Sequence, residues 1–233
     1  MPKPSVRDEV MNHYILIVAA GSGKRFGTDI PKQFLELAGR PVIMHTIQRF
    51  LAFSADVRFI VVLPTGYVSY WKELTVKYAF DVPHVVAEGG STRFFSVKNG
   101  LALTGDDGLV AVHDGVRPLV SPDTIARCFE AAQKFGNAVP SVIPSDSVRL
   151  ETEKGSETYD RNHVRLIQTP QVFRTEIIKK AYLQEYSPDF TDDATVVEKS
   201  GQIIHLVEGN RENIKITSPE DLAVTEAMLH FIF

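Results

Sequence analysis

Short apolar runs alternate with stretches of helical periodicity through the first two-thirds of the chain, which predicts a parallel sheet covered by helices. Tyr14 to Ala20 is the first strand-like run. From Val42 to Phe53, the residues Ile43, Ile47, Phe50 and Leu51 recur at helical spacing and share one face. Val57 to Leu63 reads as a second strand, Val85 and Val86 mark a third, and Leu109 to His113 a fourth. Ser121 as N-cap, Pro122 at the first helical position and Gly136 past the end delimit another helix. Ala138 to Ile143 returns as a strand.

The pattern then breaks. Ser145 to Arg165 is polar and charged, with Lys154-Gly155-Ser156 as a turn between two extended stretches, and predicts a β-arm over about residues 142 to 166. A two-stranded ribbon is marginal alone and needs a surface to lie on. Helical patterns follow near Thr175 to Tyr186 and Asp192 to Lys199, the second stopped by Gly201. Short strands are expected at Ile203 to Val207 and Ile214 to Ile216. A last helix opens on Ser218-Pro219-Glu220-Asp221, an N-cap, a proline and acidic residues suited to the positive helix end. The expected fold class is α/β: three layers around a mostly parallel twisted sheet, with a protruding β-arm. Residues 1–12 read as a loose N-terminal extension and 13–233 as one domain that includes the arm.

Composition narrows the function. At 233 residues, 44% hydrophobic and 23% charged, the chain has the balance of an ordinary globular protein. Its net charge of −4 argues against a broad nucleic-acid or anionic-membrane surface, so an anionic substrate must meet a local basic cluster. Cys128, the sole cysteine, excludes a disulfide framework and a cysteine zinc site and reads as a packed core thiol. No apolar run reaches the roughly 20 residues of a bilayer span, and Met1 to Asn12 lacks the apolar segment of a secretory signal. The cytoplasm is the expected location.

The first strand runs into Ala19-Ala20-Gly21-Ser22-Gly23-Lys24-Arg25-Phe26-Gly27, where small residues let backbone N–H groups approach phosphate oxygens. A phosphate cradle and a plain tight turn both fit this segment alone. It is not a Walker loop, because Gly23-Lys24 is followed by Arg25 rather than a hydroxyl, and Phe26 stands where the Rossmann fingerprint needs a third glycine. Pro31-Lys32-Gln33 brings another cation near the same loop. Preorganised cations of this kind lower the barrier to transfer at phosphorus. Glu88-Gly89-Gly90-Ser91-Thr92-Arg93 sits at a strand-to-helix junction, where a helix start favours anions or polar base edges. Val112-His113-Asp114-Gly115-Val116-Arg117-Pro118 puts a carboxylate and an arginine at the carboxyl end of a buried strand, the edge where ligands bind in open α/β sheets. His113 reads as packing or capping, since no Ser or Cys nucleophile pattern accompanies it.

Taken in order, these segments resemble the nucleotide-sugar pyrophosphorylase superfamily, most closely the 2-C-methyl-D-erythritol 4-phosphate cytidylyltransferase family of the non-mevalonate isoprenoid pathway. The resemblance rests on AAGSGKRFG, PKQF, GGSTRFFSV, VHDGVRP, YDRN at the end of the arm, TPQVF, TDDAT and VEGNRENIKITSPEDL. It implies a Rossmann-like nucleotidyltransferase fold and CMP transfer from CTP to a small polyol phosphate, in one displacement that releases pyrophosphate. On matching positions it implies that Arg25 and Lys32 stabilise the transition state, while Arg161 and Lys215 hold the erythritol phosphate. Ala19, Ala20, Gly90, Ser91 and Ser96 would line the cytosine and ribose site, Gly21, Gly23 and Arg93 would also bind substrate, and Asp114, Arg117 and Thr191 would complete the substrate pocket. It further implies a divalent cation, usually magnesium, held largely by the CTP phosphates, and a homodimer in which each arm completes the partner's site. The chain departs from the family in Ser91, where Asp is common, and in Gly115-Val116, where Ala-Ala or Ala-Val is common.

The nearest rival is the ribitol 5-phosphate cytidylyltransferase family, which shares the loop, PKQF and NIKIT. Thr191-Asp192-Asp193-Ala194-Thr195 favours the erythritol enzymes, because the ribitol family tends to read Thr-Asp-Ala there. A silent nucleotide-binding module is a third reading, opposed by the retention of Arg25, Lys32, Arg161 and Lys215 together.

Overall fold

In the computed structural model, which describes residues 12–21 and 30–232, an eight-stranded sheet forms the middle layer. The elements in chain order are β1 (His13–Val18), β2 (Glu36–Leu37), β3 (Arg40–Pro41), α1 (Val42–Phe53), β4 (Arg58–Leu63), α2 (Val68–Lys77), β5 (His84–Glu88) and α3 (Arg93–Leu101). They continue with β6 (Leu109–Asp114), α4 (Pro122–Phe135), β7 (Asn137–Val142), β8 (Val148–Thr152), β9 (Gly155–Tyr159), β10 (Leu166–Ile167) and β11 (Gln171–Arg174). The remainder is α5 (Thr175–Ala181), α6 (Asp193–Lys199), β12 (Leu206–Glu208) and α7 (Pro219–Ile232).

Strand alternation explains the layers. On β1, Ile15 and Ile17 pack with Ile43, Ile47 and Phe50 of α1, Trp71 of α2 and Ile125 of α4. Leu16, one residue out of phase, packs on the opposite face with Phe94 and Val97 of α3, Ile178 of α5 and Val196 of α6. Because successive strand residues face opposite sides, a continuous apolar run needs cover on both. Each such side chain, fully buried, stabilises the fold by about 1.5–3 kcal/mol. Cys128 lies in the same core, and burial pushes its thiol up to about 12.

The sheet runs β10, β7, β11, β6, β1, β4, β5, with β12 also paired to β7, in parallel. β1 lies parallel between β4 and β6, so the chain leaves β1 in one direction and later returns on its other side. That reversal opens a crevice at the carboxyl ends of the strands. The antiparallel β11, wedged between β6 and β7, is not apparent in the sequence. Its four residues follow Pro170 and are too few to show a period.

Three expectations change, the first being the strand expected from Ile203, which begins only at Leu206. Ile214 to Ile216 forms no strand; its segment crosses over a turn, bonded through Ile216 N–H to the Val116 carbonyl at 3.0 Å. The helix from Thr175 ends at Ala181 instead of continuing to Tyr186. The arm does form: β8 and β9 pair antiparallel about Gly155, whose φ of 123° suits glycine. Leu150 and Tyr159 of this ribbon are exposed.

Helix α4 is closed at both ends as its sequence implies. Ser121 accepts the Thr124 N–H at 3.1 Å, and Gly136 adopts φ of 91°. Ser121→Ala is expected to cost about 1 kcal/mol and Gly136→Ala about 1–2 kcal/mol in urea unfolding, against at most about 0.5 kcal/mol for the exposed Glu130→Ala. Equal effects at all three positions would show that the caps contribute nothing specific.

Candidate active site

The crevice contains a cleft of about 520 Å³, lined by residues that the sequence separates widely. Ala19, Ala20 and Gly21 follow β1, Lys32 and Gln33 come next, Gly90 to Arg93 follow β5, Asp114 ends β6, and Lys215 comes from near the last helix. The turns approach closely. A Cβ on Gly89 would stand 2.4 Å from Ala20 Cβ, and one on Gly115 would stand 2.8 Å from Ala19 Cβ. Glycine and alanine are therefore needed here for packing, whatever the ligand.

Two side chains set the shape of these turns. Gln33 is buried and donates to the carbonyls of Ala19 and Gly21, which fixes where the glycine-rich loop begins. Ser96 accepts from Gly90 N–H at 3.1 Å and donates to the Thr92 carbonyl at 2.8 Å, pinning the second turn to the start of α3. The backbone at the mouth of the cleft is thus held before any ligand arrives.

Charge is organised around Asp114. Lys215 Nζ lies 3.0 Å from its carboxylate, Arg117 Nε 3.3 Å and Arg93 Nε 3.7 Å. Burial by itself would raise the Asp114 pKa, but Lys215, Arg93 and Arg117 outweigh it and hold the carboxyl well below the usual range. Arg93 also makes a bidentate pair with Asp193 at 2.9 and 2.7 Å, and Asp193 accepts from Tyr182 OH at 2.6 Å. Burial works against the Arg93 charge, and Asp193 and Asp114 more than offset it, raising its pKa. Three cations face two carboxylates here, and Lys32 lines the same cleft, so the site favours an anion.

The proposed residues are not all in one place. Ala19, Ala20, Gly21, Lys32, Gly90, Ser91, Arg93, Ser96, Asp114 and Lys215 share the cleft. Arg117 lies behind it, bound to Asp114 and to the Asn213 carbonyl at 2.7 Å. Thr191 is exposed outside the lining, its hydroxyl 3.3 Å from that of Thr195. Arg161 is on the arm, exposed and donating to the Ser145 carbonyl. Gly23 and Arg25 lie outside the described residues.

A family model for 2-C-methyl-D-erythritol 4-phosphate cytidylyltransferase matches residues 13–231. The chain belongs to this family. A cytidylyltransferase of that name from Phocaeicola vulgatus is 52% identical over 94% of this chain and 100% of its own length. One from Bacteroides thetaiotaomicron is 51% identical with the same coverage. Among solved structures, the Thermus thermophilus 2-C-methyl-D-erythritol 4-phosphate cytidylyltransferase aligns with a TM-score of 0.76 at 33% identity, covering 94% of this chain and 100% of that one. A 4-diphosphocytidyl-2C-methyl-D-erythritol synthase from Anaerococcus prevotii gives 0.80 at 26%, covering 94% and 96%. This member of the cytidylyltransferase family is accordingly an enzyme, a nucleotidyltransferase.

Several residues important to this cytidylyltransferase cleft carried no sequence signal of their own. Gln33 sits inside PKQF, but only the loop geometry shows what its amide does. In TDDAT, Asp192 accounts for itself as the cap of α6, accepting Thr195 N–H at 2.8 Å. The adjacent Asp193 had no local task, and that surplus carboxylate was the available clue. No group of three His, Cys, Asp or Glu residues among the described residues could hold a metal ion. Asp114, the carboxylate lining the cleft, is already taken by cations. The described residues therefore supply no metal cage of their own.

The depressed Asp114 pKa has a consequence for stability. An unfolded carboxyl binds its proton near pH 3.9 while the folded one resists it, so the charge's contribution is complete above about pH 5 and fades as pH falls below about 4. In urea unfolding, the stability difference between wild type and Asp114→Asn should be constant from about pH 5 to 7 and shrink below about pH 4. A difference independent of pH down to about 3 would contradict this.

Proposed function

We infer that this cleft passes CMP from CTP to 2-C-methyl-D-erythritol 4-phosphate, giving 4-diphosphocytidyl-2-C-methyl-D-erythritol and pyrophosphate in the non-mevalonate supply of isoprenoid precursors. The reading is carried by the meeting, in one cleft at the strand ends, of two small-residue turns with Lys32 and with Arg93 and Lys215 around Asp114. The turns after β1 and β5 receive the nucleotide, with Gly21 and Gly90 allowing its close approach. Lys215 and Arg161 hold the acceptor phosphate, and Lys32 and Arg25 meet the charge that develops at the α-phosphorus. The family resemblance alone assigns Thr191 to the acceptor side, since it lies outside the cleft lining of its own chain.

An oxygen of the acceptor's phosphate monoester attacks the α-phosphorus, and the bond to the bridging oxygen breaks as pyrophosphate departs. That attacking oxygen is already anionic, so no general base is required. The enzyme's contribution is alignment and positive charge. A divalent cation, usually magnesium in the family, would come with the CTP phosphates and supply positive charge there, with no described residue assigned to it. A cytoplasmic location belongs to the same proposal. None of the described helices is long and apolar enough to cross a membrane.

With magnesium and CTP, methylerythritol 4-phosphate is expected to release pyrophosphate far faster than ribitol 5-phosphate. Comparable or reversed kcat/KM values would move the assignment to the ribitol family.

The working form is a homodimer with shared sites. Its support is an arm without a core of its own, exposing Leu150 and Tyr159 and carrying Arg161 outside the cleft of its own chain, followed along the chain by the exposed Leu166 and Ile167 of β10. Lys32→Ala and Arg161→Ala chains should each be inactive alone. Mixed dimers place both lesions in one site and leave the other intact. Random reassortment makes half the dimers mixed, so about a quarter of all sites should regain wild-type activity, by two-fold symmetry. Verified heterodimers without recovery would show that Arg161 does not serve the partner.

A further inference from the structure

Behind the cleft wall, hydrogen bonds close a ring through His113, Asp114, Thr169, Asn213 and Arg117. β11 lies antiparallel to β6 with Gln171 opposite Val112, so in the same register Thr169 stands opposite Asp114. The ladder stops before that pair. Residue 170 is proline, without an N–H, and the Thr169 carbonyl accepts instead from Asn213 Nδ2 at 2.8 Å. The Asp114 N–H would be a buried orphan donor, and Thr169 Oγ1 accepts it at 3.1 Å. Arg117 Nη1 donates to the Asn213 carbonyl at 2.7 Å and completes one side of the ring.

His113 completes the other. Its Nε2 lies 3.1 Å from the Arg117 carbonyl, which can only accept, so the ring proton is on Nε2. Its Nδ1, 3.0 Å from Thr169 Oγ1, therefore accepts the hydroxyl proton that Thr169 has left to give. The imidazole is fully buried with the Phe50 ring against it, centroids 5.0 Å apart. Burial is the main cause that lowers its pKa to about 4, so at neutral pH it carries one proton and no charge. It is not in the cleft lining and touches no reacting group.

The residues that His113 spans need an anchor. Asp114 to Arg117 is a turn, closed by Arg117 N–H to the Asp114 carbonyl at 3.1 Å. Gly115, within it, is required by the nearness of Ala19 but leaves the backbone permissive. The two ring nitrogens of His113 grip that turn at both ends, one through Thr169 to Asp114 N–H and one directly at the Arg117 carbonyl.

We propose that His113 is a positioning residue for the acceptor side of the transfer reaction, locking the 114–117 turn so that Asp114 holds the Lys215 ammonium, and Arg117 the chain two residues before it, ready for the incoming phosphate. This rests on the reading that Lys215, held by Asp114, receives the polyol phosphate. The glycine-rich turns that take CTP lie outside the ring.

The test compares wild type with His113→Phe, which keeps a ring against Phe50 and removes both nitrogens, and with His113→Gln, whose amide supplies a donor and an acceptor. Wild type is assayed alongside with CTP and methylerythritol 4-phosphate; no transfer there would defeat the functional reading itself. Given transfer, His113→Phe should lower kcat/KM for the acceptor by about 10²-fold, the scale of a 1 Å misplacement, with KM for CTP changed by no more than about twofold. His113→Gln should recover about tenfold of that loss. Nitrogen NMR of wild type should show His113 as the neutral Nε2–H tautomer at pH 7, a readout independent of activity. The proposal falls if His113→Phe costs only Tm, if KM rises equally for both substrates, or if NMR finds the Nδ1–H form or an imidazolium. Should His113→Phe not fold, His113→Asn, which keeps the acceptor for Thr169 and loses the donor to Arg117, carries the same comparison.

Discussion

A buried carboxylate at the end of a central strand organises this molecule. Asp114 could not remain ionised in that position without Lys215, Arg93 and Arg117, and each of those cations is delivered by a different segment of chain. The ion cluster therefore joins the start of α3, the turn after β6 and the segment before α7 into one wall. Removing Asp114 would leave Arg93, Arg117 and Lys215 facing Asp193 alone, and uncompensated charge near the interior costs far more than such pairs contribute at a surface. The arrangement also keeps a small excess of positive charge facing the cleft, and a phosphate needs that.

Support for the wall comes from polar side chains that the chemistry never touches. Gln33 fixes the carbonyls of the first turn, Ser96 fixes the second, and Asp193 with Tyr182 holds the Arg93 guanidinium in one orientation. For a reaction that depends on alignment and electrostatics, rigidity of this kind is the catalytic resource. The depressed pKa of His113 fits the same picture, since a neutral, doubly bonded imidazole holds geometry and moves no proton.

The layers were readable because burial leaves a periodic trace. Ile15, Leu16 and Ile17 had to be covered on both faces, and Ile43, Ile47 and Phe50 had to form one stripe. Caps were readable as well, because Ser121, Pro122 and Gly136 act on the backbone next to them. β11 and the missing strand at Ile214 to Ile216 were not, since a few residues carry no period and their state depends on which edge lies beside them.

The same division runs through the site. Residue types and their local order determined that small-residue turns and cations would stand at strand ends, because glycine, lysine and arginine bring their chemistry wherever the backbone places them. Family membership followed from those blocks in series. Only the tertiary structure decided that Asp193 belongs to Arg93, that Gln33 reaches back to Ala19 and Gly21, and that Thr169 stands in for a strand partner of Asp114. These are hydrogen bonds and ion pairs between segments far apart in the chain, with energies that depend on distance and burial, and neither is written in the order of residues.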